Sequence, residues 1–414
     1  MQRKKSVLGL FGLVLVCFIA FTGCDNDNNN NDNNQGFLSL ARMDIEDANT
    51  VFIAPNPETS KDDLYKITDS GKVEEVTYFD EAEKEMPMNK EPSAVYNAGP
   101  NYVIVCYGYN EGYLIRKNDG AVFSLNTVGI PYGNSMYVGN RKAIFTDNIS
   151  NIYYRSGGRV LKINIQNPEN LTREVYSPST DSINGFIMDN IANILYFGQD
   201  GASNEISRIK KNNGGLMNLE NPLDGRVSWV GPDNFMYYIA SPPLASTQVK
   251  KYNRTTDSLE NFGLNMSRRH HSNALGVLNF NDRVLLCGTD YVFEVYPTPN
   301  IIHGSVSDET NYQALGLRSI KCVGNSNNYY YLAGSNFSSN PVLLKINVTN
   351  NTPTTLLSGY DIYKMTVSPN DVVTFNALQM SNGAIIIGEI SSSGQMRILD
   401  ATLNTEVSVL ERIR

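Results

Sequence analysis

Residues 151–164, NIYYRSGGRVLKIN, contain the pattern that recurs along most of this chain. The aromatic run Ile152-Tyr153-Tyr154 comes first, and the apolar and basic run Leu161-Lys162-Ile163 follows, with Gly157 and Gly158 between them. Short runs rich in aromatic and β-branched residues, bounded by turn residues, are typical of β-strands. The stretch therefore predicts two neighbouring strands of one sheet.

The second of these runs has eight versions in the chain, at spacings of about 43 to 51 residues. They occupy residues 64–67, 114–116, 161–163, 206–209, 249–252, 292–295, 343–346 and 386–390. Aromatic runs precede most of them, for example at 195–198, 236–239 and 329–334, and turn residues such as Asn118-Asp119-Gly120 follow. Each unit is therefore predicted to be a four-stranded antiparallel sheet.

Four-stranded sheets that repeat at this period predict an all-β fold, a β-propeller of seven or eight blades, because radial packing covers both faces of every sheet. A stacked β-solenoid or two β-sandwiches is the competing architecture. Residues 80–90 are the best candidate for a helix, and Met86-Pro87 interrupts their pattern.

Two segments resemble known propeller repeats. Residues 151–164 resemble the blades of low-density-lipoprotein-receptor-type and related bacterial propellers, and Ser368-Pro369-Asn370-Asp371 resembles a turn of propellers that accompany the Tol system. Each resemblance covers a single blade. Both imply the propeller architecture and neither implies an activity.

The first 24 residues contain a second, independent signal. Arg3, Lys4 and Lys5 precede an apolar stretch from Val7 to Phe21, which is too short for a stable membrane span and is typical of an export signal. Its end, Phe21-Thr22-Gly23-Cys24, resembles the lipobox of bacterial lipoproteins, which implies that Cys24 becomes acylated. An ordinary cleaved signal with a cysteine nearby is the alternative.

The predicted domains follow from this order. Residues 1–23 form the lipoprotein signal peptide, residues 24–36 form the lipidated cysteine with a tether, and residues 37–414 form the propeller. The tether sequence DNDNNNNDNNQ, residues 25–35, contains no apolar residue and is expected to be disordered. The protein is thus expected outside the cytoplasm, anchored by lipid to the cell membrane or the outer membrane. The sequence leaves open whether it faces the periplasm or the cell surface.

Charge and cysteine content limit the possible partners. Without residues 1–23 the chain has 31 Lys and Arg against 42 Asp and Glu, a net charge of about −11, which argues against a nucleic-acid partner. Three cysteines remain beyond the anchor: Cys106, Cys287 and Cys322. Cys106 and Cys287 lie in apolar runs, which favours free buried thiols over a disulfide.

Motifs for catalysis are nearly absent. No HExxH, P-loop, GxSxG or CxxCH spacing occurs, so the sequence predicts no catalytic residue, no metal site and no cofactor apart from the covalent lipid on Cys24. The densest basic cluster is Arg268, Arg269, His270 and His271, which is expected on a loop. It is a candidate contact for an anionic group or an acidic partner, and a solvated loop without function is the alternative.

Two classes of function follow from these observations. The first is a non-catalytic binding or scaffold module that recognises an envelope protein, a peptide or a polysaccharide. The alternative is an envelope hydrolase or lyase that uses carboxylates or a calcium ion in the central channel. Its candidate acids are Asp147, Asp189, Asp233 and Asp290, which lie near predicted strand ends.

A propeller must also close its ring. Residues 407–410 and residues 37–40 are both β-like and lie near opposite ends of the chain, so they are predicted to pair with each other.

The anchor gives the first testable prediction. Replacement Cys24→Ala is expected to abolish incorporation of radiolabelled palmitate and to release the protein from the membrane fraction, because the sulfur that carries the lipid is lost. A Cys17→Ala variant is the matched control and should be labelled like the unaltered protein. Undiminished labelling of Cys24→Ala would contradict the predicted anchor.

Overall fold

The computed structural model describes residues 41–414 apart from internal gaps, of which the longest are 129–143, 220–227, 267–273 and 304–316. All of the described residues belong to one compact unit. Among them, β-strands are the dominant element, and one 3-10 turn, Pro168–Asn170, is the only helical segment. No segment within these ranges forms a helix with the length and apolar character needed to cross a bilayer.

The strands are numbered in chain order. The first ten are β1 (Arg42–Met43), β2 (Ala48–Pro55), β3 (Asp62–Thr68), β4 (Val73–Glu75), β5 (Tyr78–Phe79), β6 (Glu85–Met86), β7 (Pro92–Asn97), β8 (Tyr102–Tyr107), β9 (Glu111–Arg116) and β10 (Val122–Ser124). The next twelve are β11 (Ile144–Thr146), β12 (Asn151–Ser156), β13 (Arg159–Asn164), β14 (Thr172–Val175), β15 (Asp181–Met188), β16 (Ile194–Asp200), β17 (Ser207–Lys210), β18 (Leu216–Leu219), β19 (Ser228–Val230), β20 (Met236–Ala240), β21 (Thr247–Asn253) and β22 (Ser258–Met266). The last thirteen are β23 (Ala274–Asn279), β24 (Val284–Gly288), β25 (Val292–Tyr296), β26 (Asn300–His303), β27 (Leu317–Gly324), β28 (Tyr329–Asn336), β29 (Pro341–Asn347), β30 (Pro353–Ser358), β31 (Tyr360–Val367), β32 (Val372–Gln379), β33 (Ile385–Ser391), β34 (Met396–Asp400) and β35 (Val409–Arg412).

These strands form eight four-stranded antiparallel sheets in the described part of the chain, and each sheet is one blade of a β-propeller. Blade 1 has the order β35-β2-β3-β4, and blades 2 to 8 follow as β7 to β10, β11 to β14, β15 to β18, β19 to β22, β23 to β26, β27 to β30 and β31 to β34. A small sheet of β1, β5 and β6 accompanies them. The predicted propeller of four-stranded blades is confirmed, with eight blades.

The sequence repeats correspond to fixed positions in the blades. All eight apolar and basic runs fall on the third strand of a blade, from β3 in blade 1 to β33 in blade 8. The aromatic runs at 152–154, 195–198, 236–239 and 329–334 fall on second strands. The best helix candidate, residues 80–90, contains no helix in its described part, because Glu85–Met86 is a strand that pairs with Tyr78–Phe79.

The hydrophobic core lies between neighbouring blades. In β2, Val51 and Ile53 pack towards blade 2, whereas Phe52 and Ala54 pack against residues of blade 8 and Val407. Successive side chains of a strand point to opposite faces of the sheet, so a strand that is covered on both faces needs an unbroken apolar run. This explains the unbroken buried apolar run from Val51 to Ala54 in β2.

Two lysines of the third strands, Lys66 and Lys345, bind acceptors within the protein through their Nζ atoms. The Lys66 side chain is only 2% exposed, and its Nζ lies 2.8 Å from Asp44 Oδ2 and 2.9 Å from Asp47 Oδ1. Burial by itself would lower the pKa of Lys66, but the hydrogen bonds to Asp44 and Asp47 raise it overall. Lys345 Nζ donates to the main-chain oxygen of Ser392 at 2.7 Å.

Ring closure depends on β35. Its residues pair antiparallel with β2, so that Leu410 lies opposite Phe52 and Glu411 opposite Val51. It also contacts β31 of blade 8 and β7 of blade 2. The two ends of the described chain therefore share blade 1, as predicted, but the partner of the 407–410 segment is β2. Residues 37–40, the expected partner, lie outside the described residues.

Asn376 holds the main chain of Thr405 and Val407, which leads into β35. It is fully buried on β32, its Nδ2 donates to the main-chain oxygens of Ile386 and Thr405 at 3.2 and 3.1 Å, and its Oδ1 accepts from Val407 N at 3.1 Å. Replacement by an apolar residue would leave these main-chain groups without their partner.

The second testable prediction concerns closure. Deletion of residues 406–414 is expected to lower the melting temperature sharply and to destabilise the whole ring, because blade 1 loses a strand. If that variant does not fold, Asn376→Ala serves as the test, with an expected loss of about 3 kcal/mol in urea unfolding. The exposed Asn382→Ala is the control, at within about 0.5 kcal/mol. An unchanged melting temperature in the deletion variant would contradict this role of β35.

Candidate functional site

A cavity of about 380 Å³ lies where the first strands of several blades end. Its walls come from blade 1 through Glu411 and Arg412, from blade 2 through Asn97, and from blades 6, 7 and 8. The remaining lining residues are Leu278, Cys322, Val323, Gly324, Thr366, Val367, Pro369 and Arg414. The first strands of blades 6, 7, 8, 1 and 2 contact one another in that order, which places this cavity at one end of the ring's centre. Its volume suits a small ligand or one side chain of a partner.

The cavity combines apolar walls with a few polar groups. Leu278 and Val367 provide apolar surface, while Asn97, Thr366 and Arg412 provide an amide, a hydroxyl and a guanidinium. Apolar lining with few fixed polar groups is typical of binding sites. The chemistry of recognition therefore depends on which of the polar groups are already engaged.

Among these polar groups, the Arg412 side chain has the most hydrogen-bond donors left for a ligand. Its Nε donates to the main-chain oxygen of Arg414 at 2.6 Å, and its Nη1 lies 3.5 Å from Thr50 Oγ1. A guanidinium carries five N–H donors, so three of them are left over. No Asp or Glu side chain of the described residues forms an ion pair with Arg412.

Arg412 is also partly withdrawn from water. The residue is half-buried at the cavity wall, and this burial lowers the pKa of its guanidinium from the ordinary value. A partly desolvated cation without a carboxylate partner is stabilised when an anion approaches it. The Arg412 guanidinium thus offers its remaining donors to an anionic group, in a cavity that is also lined by the Glu411 carboxylate.

A buried lysine holds the wall around Arg412. Lys117 is 6% exposed, and its Nζ donates to Asn97 Oδ1 at 2.9 Å, to the main-chain oxygen of Gly99 at 2.7 Å and to that of Ile413 at 2.6 Å. These three acceptors come from blade 2 and from the segment that follows β35. Lys117 therefore ties the closing strand to its neighbour.

Asn97 completes this framework. Its Nδ2 donates to the main-chain oxygen of Arg412 at 3.0 Å, and its main-chain N–H donates to Glu411 Oε1 at 3.1 Å. Glu411 is 8% exposed, so its carboxylate is engaged in a buried contact at the cavity edge. The positions of Glu411 and Arg412 are thereby fixed by hydrogen bonds before any ligand arrives.

The second arginine at the cavity is more fully engaged. Arg414 is exposed, its Nη1 lies 3.4 Å from Asp69 Oδ2, and its Nη2 donates to the main-chain oxygens of Glu46 and of Lys117, the latter at 3.1 Å. It therefore adds positive charge near the opening, while Arg412 has the donors that remain for a ligand.

The structure does not test the candidate contact residues that the sequence suggests. Arg268, Arg269, His270 and His271 lie outside the described residues, so their role stays a prediction. Cys24 lies outside them as well.

Of the four acids considered for an enzyme, only Asp233 is described. Asp233 Oδ2 accepts from Tyr237 Oη at 2.6 Å and lies 2.9 Å from Lys251 Nζ, so its carboxylate is engaged within blade 5. Asp147, Asp189 and Asp290 lie outside the described residues. Within the described ranges, no group of three or more His, Cys, Asp and Glu side chains is arranged to hold a metal ion. The hydrolase or lyase alternative stays a prediction.

Aromatic residues are mainly part of the core in the described ranges. Several tyrosines are almost completely buried, namely Tyr96, Tyr154, Tyr237, Tyr252, Tyr291, Tyr330 and Tyr331. Trp229 lies in β19, the first strand of blade 5, opposite Tyr237. The abundance of tyrosine in the sequence therefore reflects packing in the blades, at least for these seven side chains.

Sequence patterns do not predict the residues of the cavity. Asn97, Cys322 and Arg412 are far apart in the chain, and none of them belongs to a recognisable motif. One sequence pattern could have indicated such residues: when the first strand of a blade ends in polar residues, these lie at an end of the ring. The sequence alone does not show which strand closes blade 1.

No family model matches the chain, and no curated protein matches it in a sequence search. Several solved structures are similar in fold. A eukaryotic initiation factor structure aligns with a TM-score of 0.50 at 10% identity, over 88% of this chain and 98% of that one. A streptogramin B lyase aligns with a TM-score of 0.44 at 12% identity, over 76% and 95% of the two chains. Virginiamycin B lyase from Staphylococcus aureus aligns with a TM-score of 0.36 at 11% identity, over 75% and 84%. At these identities the similarity concerns the fold and not the activity.

The third testable prediction concerns the framework of the cavity. Replacement Lys117→Met is expected to lower the free energy of unfolding by about 2–4 kcal/mol, because one buried and two part-buried oxygens lose their charged donor. Urea unfolding measures this loss, and the exposed Lys61→Met is the matched control. Equal stability of the two variants would contradict the structural role of Lys117.

Proposed function

We propose that this protein is a lipid-anchored binding module of the bacterial cell envelope, and that its propeller recognises a partner through an anionic group in the cavity at the end of β35. The partner in this proposal is an envelope protein or peptide segment that presents a carboxylate. The half-buried Arg412, which lines the cavity without an Asp or Glu partner among the described residues, is the observation that carries the proposal.

The dimensions of the cavity support recognition of a small part of the partner. About 380 Å³ accommodates one acidic side chain and its neighbours rather than a folded domain. Arg412 would donate to the carboxylate oxygens, and Asn97 and Thr366 line the same cavity. Leu278 and Val367 would cover the methylene groups of the bound side chain.

The framework around Arg412 supports binding without rearrangement. Asn97 holds the main chain of Arg412, and Lys117 holds Asn97 and Ile413. Groups that are fixed before association lose less conformational entropy on binding. A ligand would therefore meet a prepared site.

The anchor supports the location of this function. A lipid on Cys24 followed by the polar tether would keep the propeller within a short distance of the membrane surface, on the order of 20 Å for an eleven-residue flexible coil. Partners would then be proteins of the same envelope layer, where tethering raises their effective concentration.

The fourth testable prediction addresses Arg412. The lipidated protein is cross-linked in native membranes and purified with its captured partners, and the partner peptides are synthesised in pairs that differ by Glu or Gln at one position. Replacement Arg412→Gln is expected to weaken binding of the Glu peptide by roughly 10- to 100-fold, as for one charge-assisted hydrogen bond. Binding of the Gln peptide should change little.

Two controls accompany this experiment. Arg116 lies on β9, the third strand of blade 2, and forms an ion pair with Asp119. Replacement Arg116→Gln should leave binding unchanged. Cys24→Ala should lose capture in membranes but should keep the affinity for the peptide in solution. If Arg412→Gln and Arg116→Gln bind the Glu peptide equally well, the proposed site is wrong.

A further inference from the structure

Two cysteines meet at the interface between blade 6 and blade 7. Cys287 lies on β24 and Cys322 lies on β27, and these two strands contact each other. The Cys322 side chain raises the pKa of the Cys287 thiol, which places the two thiols within range of each other. They also share one hydrophobic cluster, in which Cys322 packs against the buried Cys287.

The two thiols differ in their access to solvent. Cys287 is completely buried, whereas Cys322 is half-buried and lines the cavity at the end of the ring. A small thiol reagent that enters the cavity therefore meets Cys322 first. Cys287 does not line this cavity.

Cys106 is the natural comparison. It is also fully buried, on β8, but it belongs to the cluster between blades 2 and 3, which contains no second cysteine among the described residues. Burial raises the pKa of the Cys106 thiol to about 12. Cys106 is thus an inert core residue. Of the three cysteines, Cys287 and Cys322 are the two that share a cluster.

We propose that Cys287 and Cys322 form a disulfide between blades 6 and 7 when the protein meets an oxidising low-molecular-weight disulfide. The Cys322 thiolate attacks one sulfur of the reagent, forms a mixed disulfide and releases the first thiol. The Cys287 thiolate then attacks the Cys322 sulfur and releases the second thiol. The protein loses two protons and two electrons, which the reagent disulfide takes up as it is reduced to two thiols.

The environment of Cys287 sets the rate of the second step. The neighbouring Cys322 side chain and the burial of Cys287 raise the pKa of the Cys287 thiol well above the ordinary value. Only the thiolate attacks a disulfide, so formation of the Cys287–Cys322 bond should accelerate as the pH rises. The first step, at the accessible Cys322, should precede it at every pH.

The disulfide would join two neighbouring blades covalently. It would close a loop from 287 to 322 and thereby restrict the unfolded chain, which raises stability when the native geometry accepts the bond. It would also change the cavity wall, because Cys322, Val323 and Gly324 are adjacent lining residues. Formation of the bond requires no ligand in the cavity.

The fifth testable prediction uses full-length protein purified in detergent and treated with oxidised glutathione. Peptide mapping without reduction should show a peptide pair that joins Cys287 to Cys322, while Cys106 stays alkylatable after unfolding. The melting temperature should rise on oxidation and return after reduction. Cys106→Ser should behave in the same way.

Two variants separate the steps. Cys322→Ser should take up no glutathione at Cys287 and should show no shift of the melting temperature, and Cys287→Ser should retain glutathione on Cys322. The proposal would be overturned if the unaltered protein kept both thiols free, retained only a glutathione adduct on Cys322, or linked Cys106 to either of them.

Discussion

The pairing of β35 with β2 is the interaction on which the rest of the ring depends. A propeller built from a linear chain must join its first and last blades, because an open ring would expose two sheet edges. In this protein β35 supplies the first strand of blade 1, contacts β31 of blade 8 on one side and contacts β7 of blade 2 on the other. Closure therefore rests on main-chain pairing opposite Thr50 to Ile53 and on the packing of Val407 between blades.

The same strand forms the cavity, so closure and recognition are linked physically. Glu411 and Arg412 belong to β35, and Lys117 and Asn97 bind the main chain beside them. A ligand that pairs with Arg412 would bind only the closed ring and would stabilise it by mass action. The proposed function and the stability of the fold are therefore expected to change together when this framework is altered.

The sequence is sufficient to predict the blades but not the site. All eight runs mark third strands, in which buried apolar residues alternate with charged residues such as Lys66 and Lys345. Short strands such as Glu85–Met86 leave no such signal, so the sequence does not locate this one. The cavity is built from Asn97, Cys322 and Arg412, whose proximity depends on how the ring closes and not on any local pattern. The anchor at Cys24 and the cluster at 268–271 lie outside the described residues and stay predictions.

Native-state hydrogen exchange of residues 409–412 tests the central claim most directly, because it reports whether β35 is an integral strand of the ring. If β35 closes blade 1, its hydrogen-bonded amides should be protected as strongly as those of β2 and should exchange only when the domain unfolds. Exchange of these amides as fast as that of exposed turns such as 380–383, with β2 still protected, would contradict closure by β35.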